Sequence, residues 1–191
     1  MKKIVSIFDT ETTGLMKAKD APLSLQPYIT EIYCAKFEVD FENKKMKFKG
    51  DFESFVRPPI PIEPLITKIT GIDDKMLDDA EAKPFALIWH DLSKFYTGVD
   101  VNIAHNLRFD ENVLETELRR IDKVTSFPWP RIKFCTVDKT THFKGKRIKL
   151  GILHEMATGR EHKEGAHRAK ADVAALSRCF KWLLEEDYAK I

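Results

Sequence analysis

Strands first, then strand and helix in alternation, predict an α/β fold. We read residues 1–191 as a single domain built on a mixed five-stranded sheet flanked by helices. Three observations carry that reading. The chain opens on an almost unbroken apolar run, Ile4, Val5, Ile7 and Phe8, the pattern of a central strand covered on both faces. Residues 29–40 (ITEIYCAKFEVD) and 46–56 (MKFKGDFESFV) alternate as half-buried strands do, with a polar FENKK turn between them. Beyond Pro84, helical spacing and short apolar runs take turns to the end of the sequence.

Taken in order, the opening strand gives way to a tight polar turn at Thr12, Thr13 and Gly14. Residues 16–28 carry Pro22 and Pro27 without a clear period and read as a loop. The two alternating segments then make the sheet open with three strands, antiparallel in succession. PPIPIEP, residues 58–64, is too proline-dense for the interior of an element and is a connection. Short helices are expected at 62–69 and 73–79, on either side of Gly71. Pro84 opens a helix to about Thr97, with Phe85, Ile88, Trp89, Leu92 and Phe95 at helical spacing. A strand at 99–104, a helix at 106–121, a break at 127–130 and a strand at 131–137 follow. Two helices complete the chain, the last over about 169–186.

A hydrophobic content of 43% and a charged content of 32% over 191 residues suit a globular domain with a sizeable core. The apolar runs are too short to cross a bilayer. Asp9 interrupts the stretch after Lys2 and Lys3 before a signal-peptide core forms, so neither export nor membrane insertion is expected. Cys34, Cys135 and Cys179 are isolated and lack CxxC spacing, which reads as reduced thiols in a cytoplasmic protein. The net charge of +2 hides an uneven distribution: residues 131–170 hold eleven Lys or Arg against four Asp or Glu. Such an excess is either a solvated face or a surface that tracks phosphates.

Three acidic stretches bear chemistry. In DTETTGL, Asp9 closes the apolar run and Glu11 follows by two, so an extended backbone puts both carboxylates on one side of the sheet. Crowded there, they repel each other and resist desolvation, and a divalent cation removes both objections. Ordinary turn chemistry of Asp and Thr accounts for the same residues without a cation. In NIAHNLRFDENVLETEL, Asp110 precedes Val113, Leu114, Leu118 and Ile121 at helical intervals and so faces the sheet. It is a ligand or an acid stabilised by the helix N-terminus, since Val113 stands where a capping box wants Glu or Gln. His105 and Asn106 fall in the strand-to-helix turn.

In EGAHRAKADVAALSRCF, Asp172 shares an inward stripe with Leu176, Cys179, Phe180 and Leu183. His167, five positions earlier, would lie about 140° round a regular helix from Asp172. It converges with Asp172 only from a loop, which Gly165 favours; otherwise it is a cap or surface residue. His154 and His162 raise a zinc alternative that lacks any HxxxH or HExxH spacing.

DTETTGL, HNLRFD and HRAKAD stand in the order, and at about the separations, of the three exonuclease motifs of the DnaQ-like (DEDDh) family. That family includes the proofreading epsilon subunit of bacterial DNA polymerase III, and the chain resembles it over essentially its whole length. The HxxxxD third motif, His167 to Asp172, is that of the His-bearing branch. The resemblance implies a ribonuclease H-like fold. It also implies a 3′→5′ exonuclease that releases nucleoside 5′-monophosphates from single-stranded or frayed DNA ends. It further implies that Asp9, Glu11, Asp110 and Asp172 hold two Mg²⁺ or Mn²⁺ ions, Asp9 bridging, with His167 as general base. Hard cations want such oxygen ligands, and two ions roughly 4 Å apart can flank a phosphodiester.

By the same resemblance, Thr12, Thr13, Gly14 and Leu15 line a pocket for the terminal nucleotide, with Leu15 wedged against the last base. His105, Asn106 and Phe109 flank that cleft, Phe109 rather packing beneath its helix, and the basic segment 144–168 guides the strand. Loop 16–28 is a few residues longer than is usual in the family and is placed to gate or narrow the cleft. No polymerase domain or clamp-binding peptide is evident. A stand-alone or separately recruited nuclease is therefore expected, with a replicative polymerase as a partner that is not stably tethered. A 3′→5′ exoribonuclease carries the same five residues and is the rival reading. A catalytically silent nucleic-acid-binding module is the third.

Overall fold

The computed structural model describes residues 2–162 and 167–190. β1 (Lys2–Thr12), β2 (Ile29–Asp40) and β3 (Lys45–Phe55) form an antiparallel meander. β4 (Val101–Ala104) and β5 (Ile132–Cys135) join in parallel, giving the order β3-β2-β1-β4-β5 with β1 at the centre. Seven α-helices among the described residues flank this mixed five-stranded sheet. They are α1 (Pro64–Thr70), α2 (Asp74–Asp79), α3 (Phe85–Tyr96), α4 (Leu107–Arg120), α5 (Thr136–Lys144), α6 (Leu150–Thr158) and α7 (Ala169–Glu185).

The alternation of β1 decides which layer meets which face. Val5 and Ile7 point to one side, where Leu153 of α6 and Val173, Leu176, Phe180 and Leu183 of α7 cover them. Phe8 points to the other, against Leu92 and Tyr96 of α3 and Leu114 and Leu118 of α4. Each of these side chains, fully buried, contributes about 1.5–3 kcal/mol, so the two stripes clamp the central strand from both sides. Helices α1 and α2 close a small separate cluster of Ile62, Ile72 and Leu77. Cys34 and Cys179 are buried free thiols, and burial pushes the Cys179 thiol up to about 12, which leaves it unreactive. No helix among the described residues is long and apolar enough to cross a membrane.

One expectation needs correction. Three helices follow β5 where the spacing predicts two. Gly145, at φ 65° in the left-handed region, ends α5 and lets the chain turn before α6. The opening strand runs on past Asp9, as the extended backbone expected for Glu11 requires. It stays paired with β2 as far as Thr12, so Asp9 and Glu11 both lie inside it.

Candidate active site

Because β1 remains extended through Glu11, Asp9 and Glu11 emerge on the face that carries Val5 and Ile7. Helix α7 packs on that face and presents Asp172 from its first turn. One carboxylate oxygen from each of Asp9, Glu11 and Asp172 lies within 4.8 Å of the other two. Asp110 arrives from the opposite layer, in the first turn of α4. Its Oδ1 accepts from the Thr10 backbone N–H at 3.1 Å and from Thr10 Oγ1 at 2.8 Å. Three of the four predicted acids thus share one nest, and Asp110 stands beside it as the neighbouring charge that most strongly raises Asp9.

The electrostatics follow from this crowding. Burial, and then the charges of Asp110, Glu11, Asp172 and Glu31, hold the Asp9 carboxyl well above the usual range. Burial pushes Glu11 up to about 8, with Asp172, Glu31 and Asp110 adding to the rise and Arg168 opposing it. Burial also lifts Asp110 to about 7 against the pull of its Thr10 hydrogen bonds. A cluster of hard oxygen donors with unbalanced negative charge fits a divalent cation such as Mg²⁺ or Mn²⁺.

These raised values have a measurable consequence. The folded protein holds protons that the unfolded chain has released, so stability is lost as pH rises from about 4.5 to about 8, the ordinary and folded values of Glu11. Each kcal/mol costs roughly 2–4 °C in Tm for a chain of this size, and a fall of about 10 °C across that window is expected in chelator. Saturating Mn²⁺ should flatten the curve, because it binds the folded state alone. Melting temperatures in chelator that climb through the window would contradict the assignment.

Beside the acids opens a cleft of about 970 Å³, whose walls include Asp9, Asp172, Leu15, His105, Asn106 and Arg147. Leu15 is 78% exposed and therefore free to meet a ligand. Asn106 adopts a left-handed backbone, φ 76°, at the start of α4, and its Oδ1 accepts from Arg147 Nη2 at 2.6 Å. His105 turns both ring nitrogens inward, to Thr136 Oγ1 and the Ile148 carbonyl, each at 3.0 Å. Burial lowers its pKa to about 4, so it offers the cleft an uncharged ring.

Thr12, Thr13, Gly14 and Phe109 stand back from the cleft walls. Thr12 Oγ1 donates to the Gly14 carbonyl, and Thr13 Oγ1 accepts from the Tyr28 N–H, which stiffens the turn behind Leu15. Phe109 packs into the core on the α4 side. None of residues 16–28 lines the cleft either. Arg120 of α4 fastens that loop, donating to the carbonyls of Leu23, Gln26 and Pro27 and stacking 3.7 Å from the Tyr28 ring centroid.

The histidines divide differently from the expectation. His167 is exposed, with φ 64°, and its backbone N–H donates to Asp172 Oδ2 at 3.2 Å. The other carboxylate oxygen, Oδ1, is met at 2.5 Å by Nε2 of His162. The sequence reading assigns His162 only to a zinc alternative. A second histidine, five residues before His167, is the one signal that marks it. The metal-competent group among the described residues contains neither His154 nor His162. The loop expected around Gly165 falls in residues 163–166, outside the described residues.

A family model described as "Exonuclease" matches residues 6–180. The chain belongs to the exonuclease family. This exonuclease-family chain is 32% identical over 186 residues to the DNA polymerase III PolC-type protein of Caldanaerobacter subterraneus subsp. tengcongensis, covering 94% of this chain and 11% of that protein. It is 38% identical over 112 residues to DNA polymerase III subunit epsilon of Treponema pallidum, covering 58% of this chain and 44% of that protein. The chain thus spans only about a tenth of the PolC-type relative. Its fold superposes with a TM-score of 0.72, at 15% identity, on the nuclease domain of 3′hExo, a DEDDh family member, bound to rAMP. That match covers 96% of this chain and 92% of the other. The architecture is therefore the ribonuclease H-like fold of DEDDh nuclease domains, and the family implies use of a divalent metal.

Proposed function

We propose that the chain is a metal-dependent 3′→5′ exonuclease, one domain over its 191 residues, that removes nucleoside 5′-monophosphates from single-stranded or frayed DNA 3′ ends. The observation that carries this reading is the convergence of Asp9, Glu11 and Asp172 to within 4.8 Å at the wall of an open cleft. Two Mg²⁺ or Mn²⁺ ions, when bound, lower the pKa of the attacking water and stabilise the departing 3′ oxygen. Asp9 and Glu11 would hold them from the sheet and Asp172 from α7, with Asp110 approaching Asp9 from α4. His167 takes the proton of the attacking water, an imidazole nitrogen serving as the general base. The new P–O bond forms as the P–O3′ bond breaks, and the terminal nucleotide leaves as its 5′-monophosphate. Leu15 wedges against the last base, while Asn106 and Arg147, joined by a hydrogen bond, flank the strand in the same cleft. The contact of His162 with Asp172 favours a second reading of the base, in which His162 takes the role of His167.

DNA is favoured as substrate because relatives that align over most of the chain are DNA polymerase III proteins. A like-folded structure is titled for recognition of a histone mRNA stem-loop by a 3′-exonuclease, which supports RNA as the alternative. A replicative polymerase is the proposed partner, and the cytoplasm the proposed location. DNA and RNA oligomers labelled at either end, incubated with and without chelator, test the proposal. Progressive shortening from the 3′ end of DNA, abolished by chelator, is expected. Binding without cleavage in Mg²⁺ and Mn²⁺ would overturn it in favour of a silent binding module.

A further inference from the structure

Glu31 of β2 stands directly opposite Glu11 of β1. Opposed residues on antiparallel strands project to the same face, so Glu31 is a fifth carboxylate beside the acid nest. It is 1% exposed, which would be costly for an unpartnered acid. Both of its oxygens are engaged. Oε2 accepts from Arg168 Nε at 3.1 Å and from the Ala169 backbone N–H at 3.0 Å, and Oε1 accepts from Arg168 Nη2 at 3.0 Å. Arg168 also lies 5.2 Å from the Phe55 ring centroid, and its carbonyl accepts from the Asp172 N–H at 3.0 Å. The residue that joins His167 to α7 is therefore bolted to the second strand of the sheet.

We propose that Glu31 is a positioning residue. Its fork with Arg168 sets the His167–Asp172 segment at the distance from Asp9 and Glu11 at which the three acids grip one cation. This inference rests on the reading that the nest holds divalent cations. Glu31 itself is not assigned as a ligand: three donors occupy its two oxygens, and the metal-competent group among the described residues is Asp9, Glu11 and Asp172 without it. A guanidinium gives two parallel bonds of fixed geometry to a carboxylate, which a point charge does not reproduce.

Calorimetric titration of Mn²⁺ into the full chain tests this, alongside steady-state cleavage. The double variant Glu31→Gln/Arg168→Gln keeps the shape of the Glu31 side chain and leaves no buried charge unpaired. Its Mn²⁺ affinity is expected to fall about 10–100-fold, the range seen when a partner that orients a metal ligand is lost. The kcat should fall in parallel, with KM for the strand unchanged. Arg168→Lys, which keeps the charge and loses the fork, is expected to fall with it, and decides alone by the same isotherm if the double variant does not fold. Affinities within about two-fold of wild type in these variants would overturn the proposal, as would full rescue by Lys. A wild-type chain that binds Mn²⁺ and cleaves no nucleic acid defeats the nuclease reading, and the isotherms still judge the role of Glu31. Cleavage by wild type with unaltered variants defeats the role of Glu31 alone.

Discussion

Asp9→Asn is expected to lower cleavage by about 10³-fold or more, the upper range for losing one preorganised electrostatic contact. Asp9 faces the charges of Asp110, Glu11, Asp172 and Glu31 together, which places it at the centre of the acid nest. The same substitution should raise Tm in chelator, because it removes a buried carboxylate whose charge the fold resists. Opposite signs for activity and stability separate a site residue from a structural one. A variant less stable than wild type in chelator, or one that still cleaves at a similar rate, would show that Asp9 is held by packing and not for a metal.

His167→Ala is expected to reduce kcat by about 10²–10⁴-fold, as removal of a general base does, while strand affinity stays near wild type. His162→Ala should be the milder change under this assignment. The comparison is informative because the two imidazoles occupy different places. His167 is exposed and engages Asp172 through its backbone alone, while His162 is half-buried with its ring on Asp172 Oδ1. A large loss in His162→Ala with little in His167→Ala would transfer the base to His162.

Residue by residue, what could be read from the chain follows from periodicity. Residues 29–40 alternate well enough between Pro27 and the FENKK turn to read as a strand, and β2 occupies that span. Asp9 and Glu11 follow a period of two, so their common face was readable from local pattern, and Asp172 was readable as inward-facing on its helical stripe; that the three meet was implied only by the resemblance of the motifs. Asp110 was readable as inward-facing but not as belonging to the other helical layer. That depends on where the crossover after β4 puts α4, which no local period encodes. The contact of His162 lies in a segment without a period. The role of Glu31 depends on the β1–β2 register, and the loop 16–28 between those strands hides that register from sequence. The break at Gly145 sits among lysines whose spacing neither stops nor continues a helix until the left-handed turn is seen.

The proposed chemistry requires that the acids from both ends of the chain bind metal together. The most direct test is anomalous diffraction from crystals grown with Mn²⁺ and a nucleoside 5′-monophosphate. The expected result is two peaks about 4 Å apart, ligated by Asp9, Glu11 and Asp172, with the nucleotide phosphate between them and Leu15. Fully ordered Asp9, Glu11 and Asp172 with no manganese among them, at concentrations that support cleavage, would contradict it.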